Sequence, residues 1–167
     1  MPRRTTDKRT RAGRSAAQDA PQTVAAALLA RRDFCSAELR ARLRAHTFTA
    51  DSIEWVINDF IGRGVLNDAR YAENYVTWHA GRGQGPLRIA ADLRKHGVDE
   101  ALIEAALAGG PDWAALAVQV HHSRFGPQVP ASWREKARQM RFLQYRGFSS
   151  DHIRAATGAD PDWTEGP

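Results

Sequence analysis

Residues 93–103, Leu-Arg-Lys-His-Gly-Val-Asp-Glu-Ala-Leu-Ile, return fifty positions later as Leu-Gln-Tyr-Arg-Gly-Phe-Ser-Ser-Asp-His-Ile at 143–153. The same frame stands fifty positions earlier, as Leu-Arg-Ala-His-Thr-Phe-Thr-Ala-Asp-Ser-Ile at 43–53. Leu43, Leu93 and Leu143 align, as do Phe48, Val98 and Phe148, and Ile53, Ile103 and Ile153. Each copy reads as a helix end, a tight turn and a helix start. Gly97 and Gly147 fall where a helix C-terminus takes a left-handed residue. Thr49, Asp99 and Ser149 follow as N-caps, whose side-chain oxygen accepts from the free amides of the next helix. The apolar residue between them staples the turn to the core. Thr47 breaks the glycine pattern, so the first turn is expected to be costlier or differently shaped. Self-similarity at a fixed period of this length marks tandem supersecondary units.

Working outward, Ile53, Val56, Ile57, Phe60 and Ile61 recur at the spacing of one helix face. Basic helices over 37–45, 86–96 and 133–146 precede the turns. A further helix lies upstream of each pair, at about 24–32, 69–80 and 112–123, with Asp68 and Asp112 as N-caps for the second and third. None of these helices is stable alone, so each must pack on its neighbours. The chain of 167 residues holds 31 Leu, Ile, Val and Phe but 29 Ala, the best helix former, and has no alternating β-branched runs. The expected fold is therefore all-α: three tandem three-helix repeats, about nine short helices, in an elongated, curved body rather than one compact bundle. Repeat 1 spans 23–65, repeat 2 spans 66–110 and repeat 3 spans 111–158. A C-terminal tail covers 159–167. Residues 1–22 carry six basic side chains against two acidic ones and have no Val, Leu, Ile or aromatic residue. They are expected to be disordered, serving as a nucleic-acid-binding arm or merely as a solubilising leader.

Charge follows the repeat. The second helices have formal nets of +2, +2 and +4, whereas the first two helices after a turn are each −3 (Asp51, Glu54, Asp59; Asp99, Glu100, Glu104). Stacked repeats would align the basic helices into a stripe, the footprint of a polyanion site or of an acidic protein groove. The same charge pattern weighs against the alternative of a stand-alone helix-turn-helix transcription regulator. Its acidic recognition helices would meet about one phosphate per 1.7 Å of duplex.

Residues with catalytic promise do not assemble. Gly81-Arg82-Gly83-Gln84-Gly85-Pro86 follows a helix rather than a strand and lacks the Lys-Ser/Thr ending of a phosphate loop. It reads as a flexible linker, open enough for backbone to meet a phosphate. His121 and His122 are adjacent, so on a helix they diverge by about 100° and cannot share a metal. Cys35, the only cysteine, excludes an intrachain disulfide; beside an expected Ser36 N-cap it reads as a small buried filler. Trp55 and Trp113 read as core, while Trp163 lies in the polar C-terminal tail. No enzyme, no metal and no cofactor is expected. With no apolar run of membrane-spanning length and no secretory h-region, the protein is expected to be cytoplasmic.

The ordered pieces resemble the RecX family, regulators of the bacterial recombinase RecA. Repeat 1 supplies Leu28-Leu29 with Arg32, then Ser36-Ala37-Glu38-Leu39 and Leu43. Repeat 2 supplies Gly64-Val65-Leu66-Asn67-Asp68-Ala69-Arg70-Tyr71-Ala72, Gly85, Arg88-Ile89, Leu93 and Gly97-Val98. Repeat 3 supplies Phe125-Gly126, Lys136, Arg138 and Phe142 through Phe148 with Ile153. The resemblance covers about 24–157; Thr47 and the basic tail depart from it. It implies a protein, monomeric when free, that binds in the groove of the RecA filament on single-stranded DNA. There it restrains ATPase, strand exchange and SOS co-protease activity, itself binding single-stranded DNA only weakly. The residues expected to face filament or DNA are Arg40, Arg44, Arg88, Arg94, Lys95, Lys136, Arg138, Arg141 and Arg146. Arg3, Arg4, Lys8, Arg9, Arg11 and Arg14 would add tail contacts to DNA.

Overall fold

The computed structural model describes residues 20–128 and 130–158, and the described residues form helices and turns with no strand. The helices among the described residues are α1 (Ala20–Leu29), α2 (Ser36–Arg44), α3 (Ala50–Gly62), α4 (Asp68–Ala80), α5 (Pro86–His96), α6 (Glu100–Ala108), α7 (Trp113–Phe125), α8 (Trp133–Arg146) and α9 (Ser150–Thr157). α1 is already helical at Ala20, inside the segment read as a disordered tail. Pro21 is buried there, and Gln22 donates to Asp59 at 3.2 Å. All six tail basics and Trp163 lie outside the described residues. The chain divides into two compact units, one through Tyr71 and one from Ala72, so repeat 3 shares its unit with repeat 2 from Ala72 onward, while residues 66–71 belong to the first unit.

In the first unit the inner faces of α1, α2 and α3 close on Leu39, Leu43, Ile53, Val56, Ile57 and Phe60. Ile61, which by spacing belongs to the helical stripe, is 49% exposed, and Trp55, expected in the core, is 41% exposed. Both sit on the flank of α3 away from its inner row. The α2 N-cap is Cys35, not Ser36. The orphan amide of Ser36 is met from outside the repeat: it donates to Asp68 Oδ1 at 2.7 Å, and the Ser36 hydroxyl donates to Asp68 Oδ2. Asp68 is thus diverted from capping its own helix. Asn67 takes that task, its Oδ1 accepting from the Arg70 amide at 3.0 Å.

The fifty-residue frame is a helix-terminating motif. After α5 the Gly97 amide donates to Arg94 O and the Val98 amide to Leu93 O; after α8 Gly147 donates to Gln144 O and Phe148 to Leu143 O. That is the Schellman pattern, in which the residue two beyond the helix end folds back to the third residue before it. Gly97 and Gly147 supply the left-handed backbone at φ +83° and +89°. Leu93, Val98, Leu143 and Phe148 are buried at both ends of the two staples. Thr47 cannot take that backbone cheaply. α2 therefore stops at Arg44 on a right-handed Ala45, so this turn is shaped differently, as its sequence implied. All three N-caps act as read: Thr49, Asp99 and Ser149 accept from the amides of Ser52, Ala101 and His152. Asp112 likewise caps α7.

Repeats 2 and 3 meet end to end. The Gly85 amide donates to Arg146 O at 2.8 Å and the Leu87 amide to Gly147 O at 3.0 Å. Helix ends leave amides and carbonyls unpaired, and here the start of α5 and the end of α8 satisfy one another. Pro86, between the two donors, has no amide to lose. The dipoles run head to tail across the contact. The approach leaves no room for a side chain: a Cβ on Gly85 would lie 2.4 Å from the Gly147 carbonyl carbon and oxygen, and one on Gly147 would lie 2.4 Å from Arg88 Cβ. The stretch read as a flexible linker is a fixed joint. Every amide from Gly81 to Gly85 is donated within the chain, so no backbone phosphate cradle exists there.

Gly85→Ala is expected to destabilise the second unit by about 2–4 kcal/mol, because the clash is backbone on backbone. Gly62→Ala, with open space around its Cβ, is expected to be neutral or to stabilise by about 0.5–1 kcal/mol through better helix propensity. Urea titration followed by circular dichroism compares the two. A second expectation concerns α9, where His152 Nδ1 accepts from the Ser149 amide to complete a capping box. Burial lowers the His152 pKa from its ordinary 6.5, so the unfolded chain binds its proton first. That contribution is complete above about pH 6.5 and is lost as the pH falls through the depressed folded value. His152→Gln, which keeps an acceptor, is expected to flatten this part of the thermal-stability profile between pH 7.5 and 5.

Candidate functional site

The nine candidate cations divide by what already holds them. Arg40 is committed to the fold: its Nε and Nη2 reach the two carboxylate oxygens of Glu54 at 2.7 and 3.1 Å, tying α2 to α3. That fork holds the Glu54 pKa below the usual carboxylate value, and only 27% of the Arg40 side chain is exposed. Arg44 lies 4.0 Å from the same carboxylate. Arg94 spans the α5–α6 turn to Glu100, and Arg32 spans the α1–α2 turn to Glu38. Arg138 pairs with Glu135 at 2.8 Å and lies 5.6 Å over the Phe125 ring. Lys95 and Arg141 are exposed and Lys136 half-buried, with no salt bridge to any of the three among the described residues. Charge along the second helices is therefore less available than the sequence count suggested. Exposed pairs of this kind gain only about 0.2–1 kcal/mol and dissolve readily when a better partner arrives.

Arg88 and Arg146 are different, because the joint brings them together across 58 positions of chain. Arg88 Nη1 lies 3.5 Å from Tyr145 O, and its guanidinium is 5.6 Å from the Tyr145 ring centroid. Arg146 Nη1 donates to Arg82 O at 3.0 Å, and its guanidinium lies 5.1 Å over Phe142. Arg82 in turn stacks 4.1 Å over Trp78. Around these arginines three large apolar side chains stay in water: Trp78, Leu87 and Tyr145 are 56%, 58% and 78% exposed. Aromatic and arginine side chains together are the composition of binding hot spots. Trp78, Leu87 and Tyr145 give no joint signal in sequence, because the segments that carry them touch only in the fold. Only the doubled glycine, Gly85 and Gly147, marks in sequence where the two segments touch.

Cys35 is buried, which pushes its thiol pKa up and leaves it a poor nucleophile. His121 is turned inward, its Nε2 2.7 Å from Gln139 Oε1, while His122 is exposed. Among the described residues no three His, Cys, Asp or Glu side chains converge as a metal site, and no single helix is long and apolar enough to cross a membrane.

Arg40→Glu is expected to lower stability by about 1–2 kcal/mol by facing Glu54 with a like charge, and Arg40→Glu/Glu54→Arg to recover most of the loss. Lys95→Glu and Arg141→Glu should stay within about 0.5 kcal/mol of the wild type. Denaturant midpoints measure all four.

The three-helix repeats have counterparts in known proteins. Family models described as the second and third three-helix domains of RecX match residues 67–107 and 112–157. The chain is 41% identical over 154 residues to the regulatory protein RecX of Halorhodospira halophila, covering 91% of this chain and 96% of that one. It is 37% identical over 150 residues to the regulatory protein RecX of Xanthomonas oryzae pv. oryzae, covering 89% and 94%. The crystal structure of RecX from Lactobacillus salivarius superposes with a TM-score of 0.75 at 26% identity, over 85% of this chain and 95% of that one. With its repeat frame, its all-helical fold and its near full-length match to these regulators, the chain belongs to the RecX family.

Proposed function

We propose that this protein restrains the recombinase RecA by docking on the RecA filament assembled on single-stranded DNA, holding down ATP hydrolysis, strand exchange and the co-protease activity of the SOS response. The observation that carries this reading is the match to regulatory RecX proteins over nine-tenths of the chain. The chemistry of the surface supports it. A filament groove offers repeated protein faces beside a polyanion, and the joint of repeats 2 and 3 presents Leu87, Arg88 and Tyr145 together with unpaired cations. In this reading Tyr145 and Leu87 are protein anchors, Arg88 orients Tyr145, and Lys95, Lys136 and Arg141 meet acidic surface or DNA. Arg44, Arg94 and Arg138 would exchange their present carboxylates for groups of the partner. Arg146 braces the joint, and Arg40 braces the first unit rather than facing the filament. The tail basics Arg3, Arg4, Lys8, Arg9, Arg11 and Arg14 would add salt-sensitive DNA contacts, and binding to single-stranded DNA alone would be weak. The free protein would be a monomer working in the cytoplasm with no cofactor.

The test is RecA ATPase on single-stranded DNA titrated with the full chain and with Leu87→Ala/Tyr145→Ala. Losing two hot-spot anchors is expected to raise the half-inhibiting concentration about tenfold or more, with unchanged circular dichroism. Undiminished inhibition by the double variant would contradict the assignment of this surface.

A further inference from the structure

Beside the joint lies a cleft of about 410 Å³ between the loop 81–83, α7 and α8, wholly within the second unit. Arg82, Arg124 and Arg146 line it together with Ser123 and Gln119, and Phe142 gives it an apolar wall. No aspartate or glutamate lines it. None of the three arginines has a salt bridge among the described residues, in contrast to Arg32, Arg40, Arg63, Arg94, Arg138 and Arg154 elsewhere in the chain. Three like charges facing one concavity repel each other, and a low-dielectric wall focuses their field into it. The arrangement persists because two of the three are held by other means: Arg82 by the Trp78 ring at 4.1 Å, and Arg146 by the Phe142 ring and the Arg82 carbonyl. Arg146 spends one of its five N–H donors on that carbonyl, leaving others for a ligand. Arg124, at the end of α7, is exposed.

We infer that this cleft is a phosphate site, in which the Arg82, Arg124 and Arg146 guanidiniums and the Ser123 hydroxyl take the oxygens of a phosphate group of single-stranded nucleic acid. Guanidinium forks match phosphate oxygens in pairs, and the volume is in the range of small-ligand sites, about 300–1,000 Å³. The loop contributes side chains only, because its amides are already donated within the chain. The wall of Phe142 suits a sugar or base edge next to that phosphate. The inference does not need the filament reading: it concerns the isolated protein, and either can fail without the other.

The experiment uses the full chain with no other protein present, and a fluorescein-labelled oligo-dT read by anisotropy at several salt concentrations. Arg82→Gln/Arg124→Gln is compared with Arg31→Gln/Arg42→Gln, which removes the same charge from exposed positions of the first unit. The cleft double variant is expected to bind about tenfold or more weakly and to lose about 0.7 from the log–log salt slope, the value for one phosphate contact on a single strand. The control double variant should change affinity less than about threefold. Inorganic pyrophosphate and hexaglutamate serve as competitors for the wild type. Pyrophosphate is expected to displace the oligonucleotide at millimolar levels, because its oxygens suit the same guanidinium forks, and hexaglutamate to do so much less readily; no displacement by pyrophosphate would contradict the phosphate assignment. Equal losses in the two double variants, no loss in the cleft variant, or displacement by hexaglutamate as readily as by pyrophosphate would overturn the inference.

Discussion

The contact of Gly85 with Gly147 is the constraint from which the second unit takes its form. Two helix ends, each with unpaired polar backbone, approach so closely that neither residue can carry a side chain. The amides of Gly85 and Leu87 and the carbonyls of Arg146 and Gly147 pair with one another instead of with water. A buried amide or carbonyl left unpaired costs about 1–3 kcal/mol, so the contact is favourable only when both ends meet in register. The Schellman turn that ends α8 fixes that register, because the same left-handed Gly147 that closes the helix offers its carbonyl to α5. Surface chemistry follows from the joint: Leu87-Arg88 and Tyr145-Arg146 become neighbours because the residues beside them are bonded.

The repeat was legible because each of its signals is local. Glycine at a helix end, an N-capping oxygen two residues on, and an apolar staple between them all act within one turn of chain, and Leu93, Val98, Leu143 and Phe148 are buried as their spacing required. The exception was legible for the same reason, since a threonine in place of a glycine shortens α2. What the sequence misassigned depends on distant partners. Asp68 looks like the cap of its own helix but serves Ser36, 32 positions away. Ile61 fits the helical stripe yet falls on its exposed edge, and Trp55 lies outside the core despite its size. The glycine-rich stretch looked flexible because the partner that immobilises it is Gly147, in the next repeat.

The candidate surface was half visible for a related reason. Counting charges along each second helix finds the cations but not their neighbours, and neighbours decide availability. Arg40 and Arg94 carry the same formal charge as Arg141, yet each is bonded to a glutamate, while Arg141 has no ion pair among the described residues. Arg82 and Arg124 lie outside the second helices, in the α4–α5 turn and at the end of α7, where no repeated charge pattern marks them. The exposed Trp78, Leu87 and Tyr145 gave no signal of their own, since an apolar residue next to a turn is more often buried than offered.

The most direct test of the account is hydrogen–deuterium exchange of the full chain, alone and bound to RecA filaments on single-stranded DNA. The account predicts that peptides spanning 82–89 and 142–147 gain protection on binding, while the already protected turn at 97–98 changes little. Protection confined to the first unit, with the joint segments unchanged, would contradict it.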